Sequence, residues 1–208
     1  MVTVREPVLQ AIPIAELRPT QMTVGMREVR AKQKSWQGQD PKKKAEFLGR
    51  HMVPVVRGFK DRLYVTDHHH LSLALHNEGV ESVQIIVVAD LRTLAEDEFW
   101  VFLDNRGLVH PYDAQGRRCG FGQIPRRITG LKDDPFRSIA GELRRIGGFA
   151  KDTTPFSEFL WADFLRRRIS GVTARDDFTK AIKQAMKLAK TPLASHLPGW
   201  CGPHENNN

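Results

Sequence analysis

The chain has 208 residues, of which 40% are hydrophobic, so it is long enough for one large domain or two small ones. Its two cysteines, Cys119 and Cys201, lie far apart, which argues against a disulfide framework. No apolar run approaches the roughly 20 residues of a membrane span, and no signal peptide is visible. We therefore expect a cytoplasmic protein with no membrane partner.

The net charge of +8 is concentrated in the second half of the chain. Residues 108–208 carry 17 Lys and Arg against 10 Asp and Glu, whereas residues 1–107 carry 15 against 14. A basic excess of this kind suits a polyanion, so nucleic acid is a candidate partner of the C-terminal half. A solvated basic surface without a partner is the alternative.

The first half alternates short strands and helices. Asp40-Pro41 predicts a helix start, and Val83–Val88 is so apolar that it predicts a central, buried strand. A capping box over residues 93–96 predicts the start of another helix. The remaining predicted elements are a strand at Val8–Ile14, a helix over about Val24–Lys32, and a hairpin of Met52–Arg57 with Leu63–Thr66.

The most informative stretch runs from Leu63 to Leu75, where strand periodicity changes to helix periodicity. Asp67, His68, His69 and His70 lie at the change. A helix that opens directly after a strand presents free N–H groups and a positive dipole end, which suits an anion. The pattern therefore predicts a phosphate-binding or catalytic site at this corner.

Two other interpretations of the corner stay open. Asp67 is a good helix N-cap, so capping alone could explain it. Neutral histidine is also the commonest metal ligand, although adjacent residues rarely point at one ion. Asp67 is a candidate ligand for Mg²⁺ in the phosphate interpretation.

The second half begins with a long loop, from Leu108 to Leu131, and continues with three predicted helices. Long ordered loops are often functional, and we expect this one to lie over the histidine corner. The helices are predicted to start at Asp134-Pro135, at Thr154-Pro155 and at a capping box over residues 173–176. We therefore predict domains at residues 1–107 and 108–208, the second being the loop and a three-helix region.

Three motifs of the first half occur together: Leu17–Gln21 followed by Val24-Gly25 and Glu28-Val29, then Val53–Val56, then Val65–His70 with Ala74. This combination resembles the ParB/sulfiredoxin superfamily. With two helical segments at 134–138 and 155–161, the whole chain resembles its ParB-like nuclease branch. The resemblance implies an α+β fold, in which a small mixed sheet with helices precedes a mainly helical C-terminal half.

The resemblance also implies roles for single residues. Thr20, Gln21 and His68 would contact the phosphate groups of a nucleotide, with His68 at a position where relatives carry glycine. Leu71 replaces a phosphate-binding arginine of the relatives. The basic residues that could substitute for that arginine are Arg27, Arg118 and Lys151. In superfamily kinases that act on free serine, a glutamate of the first helix is the base, and Glu28 matches it by position.

Three functions follow as hypotheses. The first is a ParB-like nuclease in which Asp67, His69 and His70 carry out phosphate-ester chemistry, assisted by Glu28 and by Mg²⁺ at Asp67. The second is a small-molecule kinase or nucleotidase that depends on ATP, ADP or CTP, so that its partner is a nucleotide or a small phosphorylated molecule. The third is a non-catalytic DNA-binding protein, whose DNA affinity would be sensitive to salt.

Overall fold

The computed structural model describes residues 10–203, which contain seven strands and eight α-helices. The strands are β1 (Gln10–Pro13), β2 (Leu17–Pro19), β3 (Thr23–Val24), β4 (Val53–Gly58), β5 (Arg62–Val65), β6 (Ser82–Asp90) and β7 (Lys132–Asp133). The helices are α1 (Met26–Gln37), α2 (Pro41–Arg50), α3 (His69–Asn77), α4 (Glu96–Asn105), α5 (Pro135–Arg145), α6 (Ser157–Arg166), α7 (Gly171–Asp176) and α8 (Phe178–Ala189).

The described residues form two compact units, each built from several chain segments. The first unit contains residues 10–22, 29–111 and 119–131, and the second contains 23–28, 112–118 and 132–203. These units are defined by contacts within the chain and do not test whether residues 1–107 and 108–208 are separate domains. That division stays a prediction. None of the helices within residues 10–203 combines the length and apolar character that a bilayer crossing requires.

A five-stranded mixed sheet is the framework of the first unit. Its strand order is β1-β6-β4-β5-β2. Strands β4 and β5 form the predicted antiparallel hairpin, while β2 pairs with β5 and β4 with β6 in parallel. The predicted α+β class with a small mixed sheet is therefore confirmed. The predicted first strand is observed at Gln10–Pro13, and its residues 8 and 9 lie outside the described part of the chain.

One face of this sheet carries a cluster of aromatic rings. Tyr64 of β5 packs against Phe99 and Trp100 of α4, with ring centroids 4.6 and 5.3 Å away. Gly58 of β4 makes this packing possible, because a Cβ atom there would lie 2.6 Å from the Phe99 ring and 2.7 Å from the Tyr64 ring. The cluster holds α4 on the strand face that carries Tyr64.

Strand β6 differs from its prediction. It is paired on both sides, by β1 and β4, as a central strand should be. Its second half is nevertheless open to solvent, with Val87 40% and Val88 53% exposed. The apolar run therefore identified a strand correctly but overstated how deeply that strand is buried.

The second unit is mainly helical, as predicted for this part of the chain. The Asp134 side chain accepts a hydrogen bond from the Phe136 N–H at 2.9 Å and caps α5 at the predicted position. The second predicted helix begins at Ser157, later than expected. The third divides into α7 and α8, because the backbone at Asp177 leaves the helical region with φ −133° and ψ 76°.

Candidate functional site

The Asp67–His70 corner lies between the end of β5 and the first turn of α3. Val65 ends the strand, and His68 is the residue from which α3 begins. Asp67 is exposed and its Oδ1 accepts a hydrogen bond from the His68 N–H at 2.6 Å. Asp67 is thus not the N-cap that one interpretation of the sequence assigned to it, since it precedes the cap by one residue.

His68 adopts a left-handed backbone conformation, with φ 66° and ψ 23°. A side chain in this region costs free energy that glycine avoids. The backbone here thus suits the glycine that the resemblance implies at this position in relatives. The His68 side chain makes no capping hydrogen bond, and its Nδ1 atom is buried without a hydrogen-bond partner within the described chain. Non-glycine residues held in this region often mark functional sites.

His69 is buried and fixed in place by the strand side of the corner. Its Nε2 atom accepts a hydrogen bond from the Thr20 N–H at 3.1 Å, and its ring also hydrogen-bonds the Val65 backbone. An acceptor Nε2 requires the proton on Nδ1, so the ring is a neutral tautomer. Burial lowers the pKa of His69 to about 3, although Asp67 acts in the opposite direction.

Thr20, the residue that follows β2, makes the contact with His69. Its hydroxyl donates to the Val65 carbonyl at 2.8 Å, and its own carbonyl accepts from the His110 N–H at 2.8 Å. Gln21 is buried beside it, 5% exposed, and forms an isolated parallel bridge with His110. Part of the long loop therefore lies at Thr20, and its segment Ile128–Gly130 packs against α3.

His70 is also buried, with 8% of its surface exposed. The structure thus brings together Thr20, Gln21, His69 and His70 as buried residues. Asp67 and His68 are the exposed and half-exposed members of the same corner. Leu71, at the position where the resemblance implies an arginine, is 6% exposed.

Glu28 belongs to the second unit, where it faces Arg137. The Arg137 Nη1 atom lies 3.5 Å from Glu28 Oε2, and Arg137 Nη2 lies 3.9 Å from Glu158 Oε2. Gly141 leaves room for this arrangement, since a Cβ atom there would approach Arg137 Nη1 to 3.1 Å. The assignment of Glu28 as a general base stays a prediction.

The three candidate replacements for the relatives' arginine also belong to the second unit. Arg27, Arg118 and Lys151 are all exposed. The Arg27 guanidinium lies over the Phe178 ring, 4.0 Å from its centroid. The phosphate-binding role of these residues stays a prediction.

The described residues offer limited support for a metal centre. Within residues 10–203, no three or more histidine, cysteine, aspartate or glutamate side chains are grouped so that they could share an ion. Magnesium is commonly held by one or two carboxylates together with substrate phosphates, and Asp67 is an exposed carboxylate. Mg²⁺ at Asp67 stays a prediction.

Comparison with known proteins identifies the family. The family described as "Putative ParB-like nuclease" matches residues 10–167. The chain belongs to this ParB-like nuclease family. The chain is also similar to protein Atu1540 from Agrobacterium tumefaciens, whose crystal structure matches with a TM-score of 0.89 and 56% sequence identity over 95% of this chain and 99% of that one. No curated protein matches.

Some residues of this ParB-like chain with notable environments were not identified from the sequence. Arg137 is 7% exposed, and its carboxylate neighbours Glu28 and Glu158 are too distant in the sequence for a local pattern to pair them with it. Arg18, Arg62 and Arg126 line one recess in the first unit, although they are far apart in the sequence. Arg18 lies near Arg62 because β2 pairs with β5, with Arg18 opposite Tyr64. Finding this proximity requires the order of the strands in the sheet.

Proposed function

We propose that this protein is a phosphodiesterase of nucleic acid whose reacting phosphate binds at the Asp67–His68 corner. The observation that carries the proposal is the start of α3, where left-handed His68 leaves the first turn without a side-chain cap. The first N–H groups of a helix lack partners within it, and the helix dipole adds positive charge there. Together these features suit a phosphate group.

The chemistry assigns one proton transfer to each of two side chains. Asp67 accepts a proton from water as the water oxygen attacks phosphorus. His68 donates a proton to the leaving sugar oxygen as its bond to phosphorus breaks. The first-turn N–H groups stabilise the charge that accumulates on the phosphate oxygens. Asp67 and His68 are suited to these roles because they are the accessible residues of the corner.

His69 supports this reaction as a positioning residue. Both of its ring nitrogens are engaged, with Thr20 and with the Val65 backbone, and its lowered pKa keeps the ring neutral. A neutral, doubly engaged imidazole holds β2 against the start of α3 but has no proton to exchange near neutral pH. The catalytic role first assigned to His69, and that assigned to His70, stay predictions.

A cleavage assay tests the proposal. Wild type, Asp67→Asn and His68→Ala are incubated with labelled single- and double-stranded DNA and RNA, with and without Mg²⁺. We expect wild type to cleave at least one substrate, and each variant to be slower by about 10²-fold or more, as expected for loss of a general acid or base. His76→Ala is the matched control, because it removes a histidine from the opposite end of the same helix. Equal rates in all four proteins would refute the assignment.

Binding without cleavage is a second candidate function. The specific observation in its favour is that His69 is locked in a neutral form, which leaves fewer groups for acid–base chemistry. Under this hypothesis the corner would bind a nucleic-acid phosphate and release it unchanged. Retained binding with no product on any substrate would support it over the nuclease.

The nucleotide hypothesis is tested separately. A thermal-shift screen with ATP, ADP and CTP, each with and without Mg²⁺, reports ligands that bind the folded state. A nucleotide-dependent kinase or nucleotidase predicts a shift that His68→Ala abolishes. No shift with any nucleotide would remove that hypothesis and leave the nucleic-acid functions.

A further inference from the structure

A recess on the aromatic face of the first unit carries an unusual charge. It has a volume of about 280 Å³ and shares none of its lining residues with the Asp67–His70 corner. Four cationic side chains line it, and they come from β2, from the turn after β4, from β5 and from the long loop: Arg18, Lys60, Arg62 and Arg126. Glu96 is the carboxylate in the lining.

The sheet brings two of these cations together. Arg18 of β2 pairs in register with Tyr64 of β5, so both side chains project from the same face. Arg62 lies two residues before Tyr64 and shares that face. The Arg62 guanidinium also lies 5.3 Å from the centroid of the Phe59 ring. The register places Arg18 and Arg62 on one face of the sheet, and the ring contact helps to fix the Arg62 guanidinium.

Glu96 is the one carboxylate among the residues that line the recess, so it offsets only part of the charge of the four cations. Among the residues that the structure describes, none of the four lies within 4.0 Å of a carboxylate oxygen. The nearby Asp61 instead faces Arg57 and Arg92, at 3.7 and 3.6 Å. Clustered like charges that are in excess of their counter-charges repel one another, and a bound anion would relieve that repulsion.

Tyr64 also lines the recess. The Tyr64 hydroxyl is buried and has no partner at hydrogen-bond geometry, although the Arg62 guanidinium is near enough to oppose the rise that burial causes in the pKa of Tyr64. The pKa of Arg18 is lowered, first by burial and then by repulsion from Arg62.

We infer that this recess binds a terminal phosphate group, either of inorganic phosphate or of a phosphate monoester. Arginine forks match phosphate oxygens in bidentate geometry, and cations from four separate segments can surround a group that has three free oxygens. An internal phosphodiester has only two free oxygens, and the nucleic-acid chain continues from it on both sides. It therefore fits less well in a recess whose cations surround the bound group. The inference does not depend on catalysis at the Asp67–His68 corner.

The test follows the Trp100 indole N–H signal by NMR in the full-length protein. Trp100 lines the recess, and the three other tryptophans of the chain, Trp36, Trp161 and Trp200, are internal references. The Trp100 signal is assigned with Trp100→Phe. Inorganic phosphate, a nucleoside monophosphate and one oligonucleotide with a 5′-phosphate or a 5′-hydroxyl are titrated in turn.

Arg126→Gln and Arg127→Gln form the matched pair. Both residues are exposed neighbours in one loop, but only Arg126 lines the recess. We expect saturable shifts of the Trp100 signal in wild type, a roughly tenfold weaker affinity in Arg126→Gln, and no change in Arg127→Gln. Glu96→Gln should bind more tightly, because it removes the facing negative charge.

The ligand series identifies the source of the phosphate. Binding of the 5′-phosphorylated strand but not of the 5′-hydroxyl strand supports a nucleic-acid end, and binding of the small phosphates alone supports a metabolite. Equal binding of both strands would overturn the assignment to a terminal phosphate. Absence of a saturable Trp100 shift, or equal losses in Arg126→Gln and Arg127→Gln, would overturn the site. Repeating the titration in His68→Ala should leave the result unchanged, which separates this site from the corner.

Discussion

His68 is the residue on which the corner depends, because its left-handed backbone fixes where α3 begins. A side chain in that region costs about 1–2 kcal/mol, and glycine would avoid the cost while losing about 0.5–1 kcal/mol through its greater freedom when unfolded. A protein selected only for stability would favour glycine there. We attribute the histidine to the chemistry of its ring.

His68→Gly separates stability from function. We expect a free energy of unfolding that is unchanged or raised by up to about 1 kcal/mol, because backbone strain is relieved. Any cleavage should fall by about 10²-fold, because the proton donor is lost. Urea denaturation and the cleavage assay measure the two effects. His76→Gly is the control and should lose up to about 1 kcal/mol of stability while retaining activity. A destabilised but fully active His68→Gly would contradict the account.

His69 makes the folded protein sensitive to acid. Its pKa is about 3 when folded and near 6.5 when unfolded, so only the unfolded chain binds this proton between those values. The stability contributed by neutral His69 is complete above about pH 6.5 and is lost as the pH falls towards 3. The slope is roughly 1.4 kcal/mol per pH unit.

Urea denaturation at pH 7.5 and pH 5 tests this effect. Wild type should lose roughly 2 kcal/mol more than His69→Gln over that interval, because glutamine does not titrate. Comparing the two proteins cancels the contributions of the carboxylates and of the other histidines. Identical losses would show that His69 is not held neutral by the fold.

The sequence could not predict which of His68, His69 and His70 are buried and which is partly exposed. The sequence indicated a strand-to-helix change at Asp67–His70, and the structure has the change there. Successive residues of a helix point about 100° apart, so the buried side chain depends on the residue at which the helix begins. The residue at which α3 begins is set by the left-handed φ of His68. A run of three histidines does not show which of them adopts that conformation.

At the scale of single elements, Gly58 decides how α4 packs on the sheet. We expect Gly58→Ala to lower the free energy of unfolding by roughly 1–3 kcal/mol, because its Cβ would overlap the rings of Phe99 and Tyr64. Gly49→Ala is the control, since it lies in α2 with no atom within 4 Å of an added Cβ and should be neutral or stabilising. Chemical denaturation measures both, and equal effects would contradict the packing argument.

Helix starts marked by Asp-Pro were predicted well, because both the cap and the proline are local signals. Asp40 accepts a hydrogen bond from the Lys43 N–H at 2.9 Å, as an N-cap should. The capping box predicted over residues 173–176 is wrong as a helix start, because those residues lie inside α7, which begins at Gly171. Ser170 caps α7 and Asp177 caps α8. A residue that can cap a helix does not by itself show that one helix ends there and another begins.

At the scale of the whole molecule, the sheet order is what local patterns could not supply. Strand periodicity indicated the hairpin of β4 and β5, but not that β2 adds in parallel to β5. That addition brings Thr20 to His69 and Arg18 to Tyr64. Both candidate sites of the first unit therefore depend on long-range pairing.

Charge is the other property of the whole chain that bears on function. The net charge of +8 predicts that nucleic-acid binding weakens with salt, by at least roughly tenfold between 50 and 200 mM. Because the excess lies in residues 108–208, Lys183→Gln with Lys187→Gln should reduce the salt dependence more than Lys42→Gln with Lys43→Gln. Fluorescence anisotropy measures the slopes. Equal slopes for the two double variants would contradict the assignment of binding to the second half.

The most direct test of phosphate binding at the start of α3 is an NMR titration of the backbone amides. A short oligonucleotide is added to ¹⁵N-labelled protein that carries Asp67→Asn, so that cleavage is slowed. The account predicts that the largest amide shifts occur at His69 and Leu71, in the first turn of α3, and that Asn77 at its far end is unaffected. Saturable binding that leaves the first-turn amides unmoved would contradict the central claim.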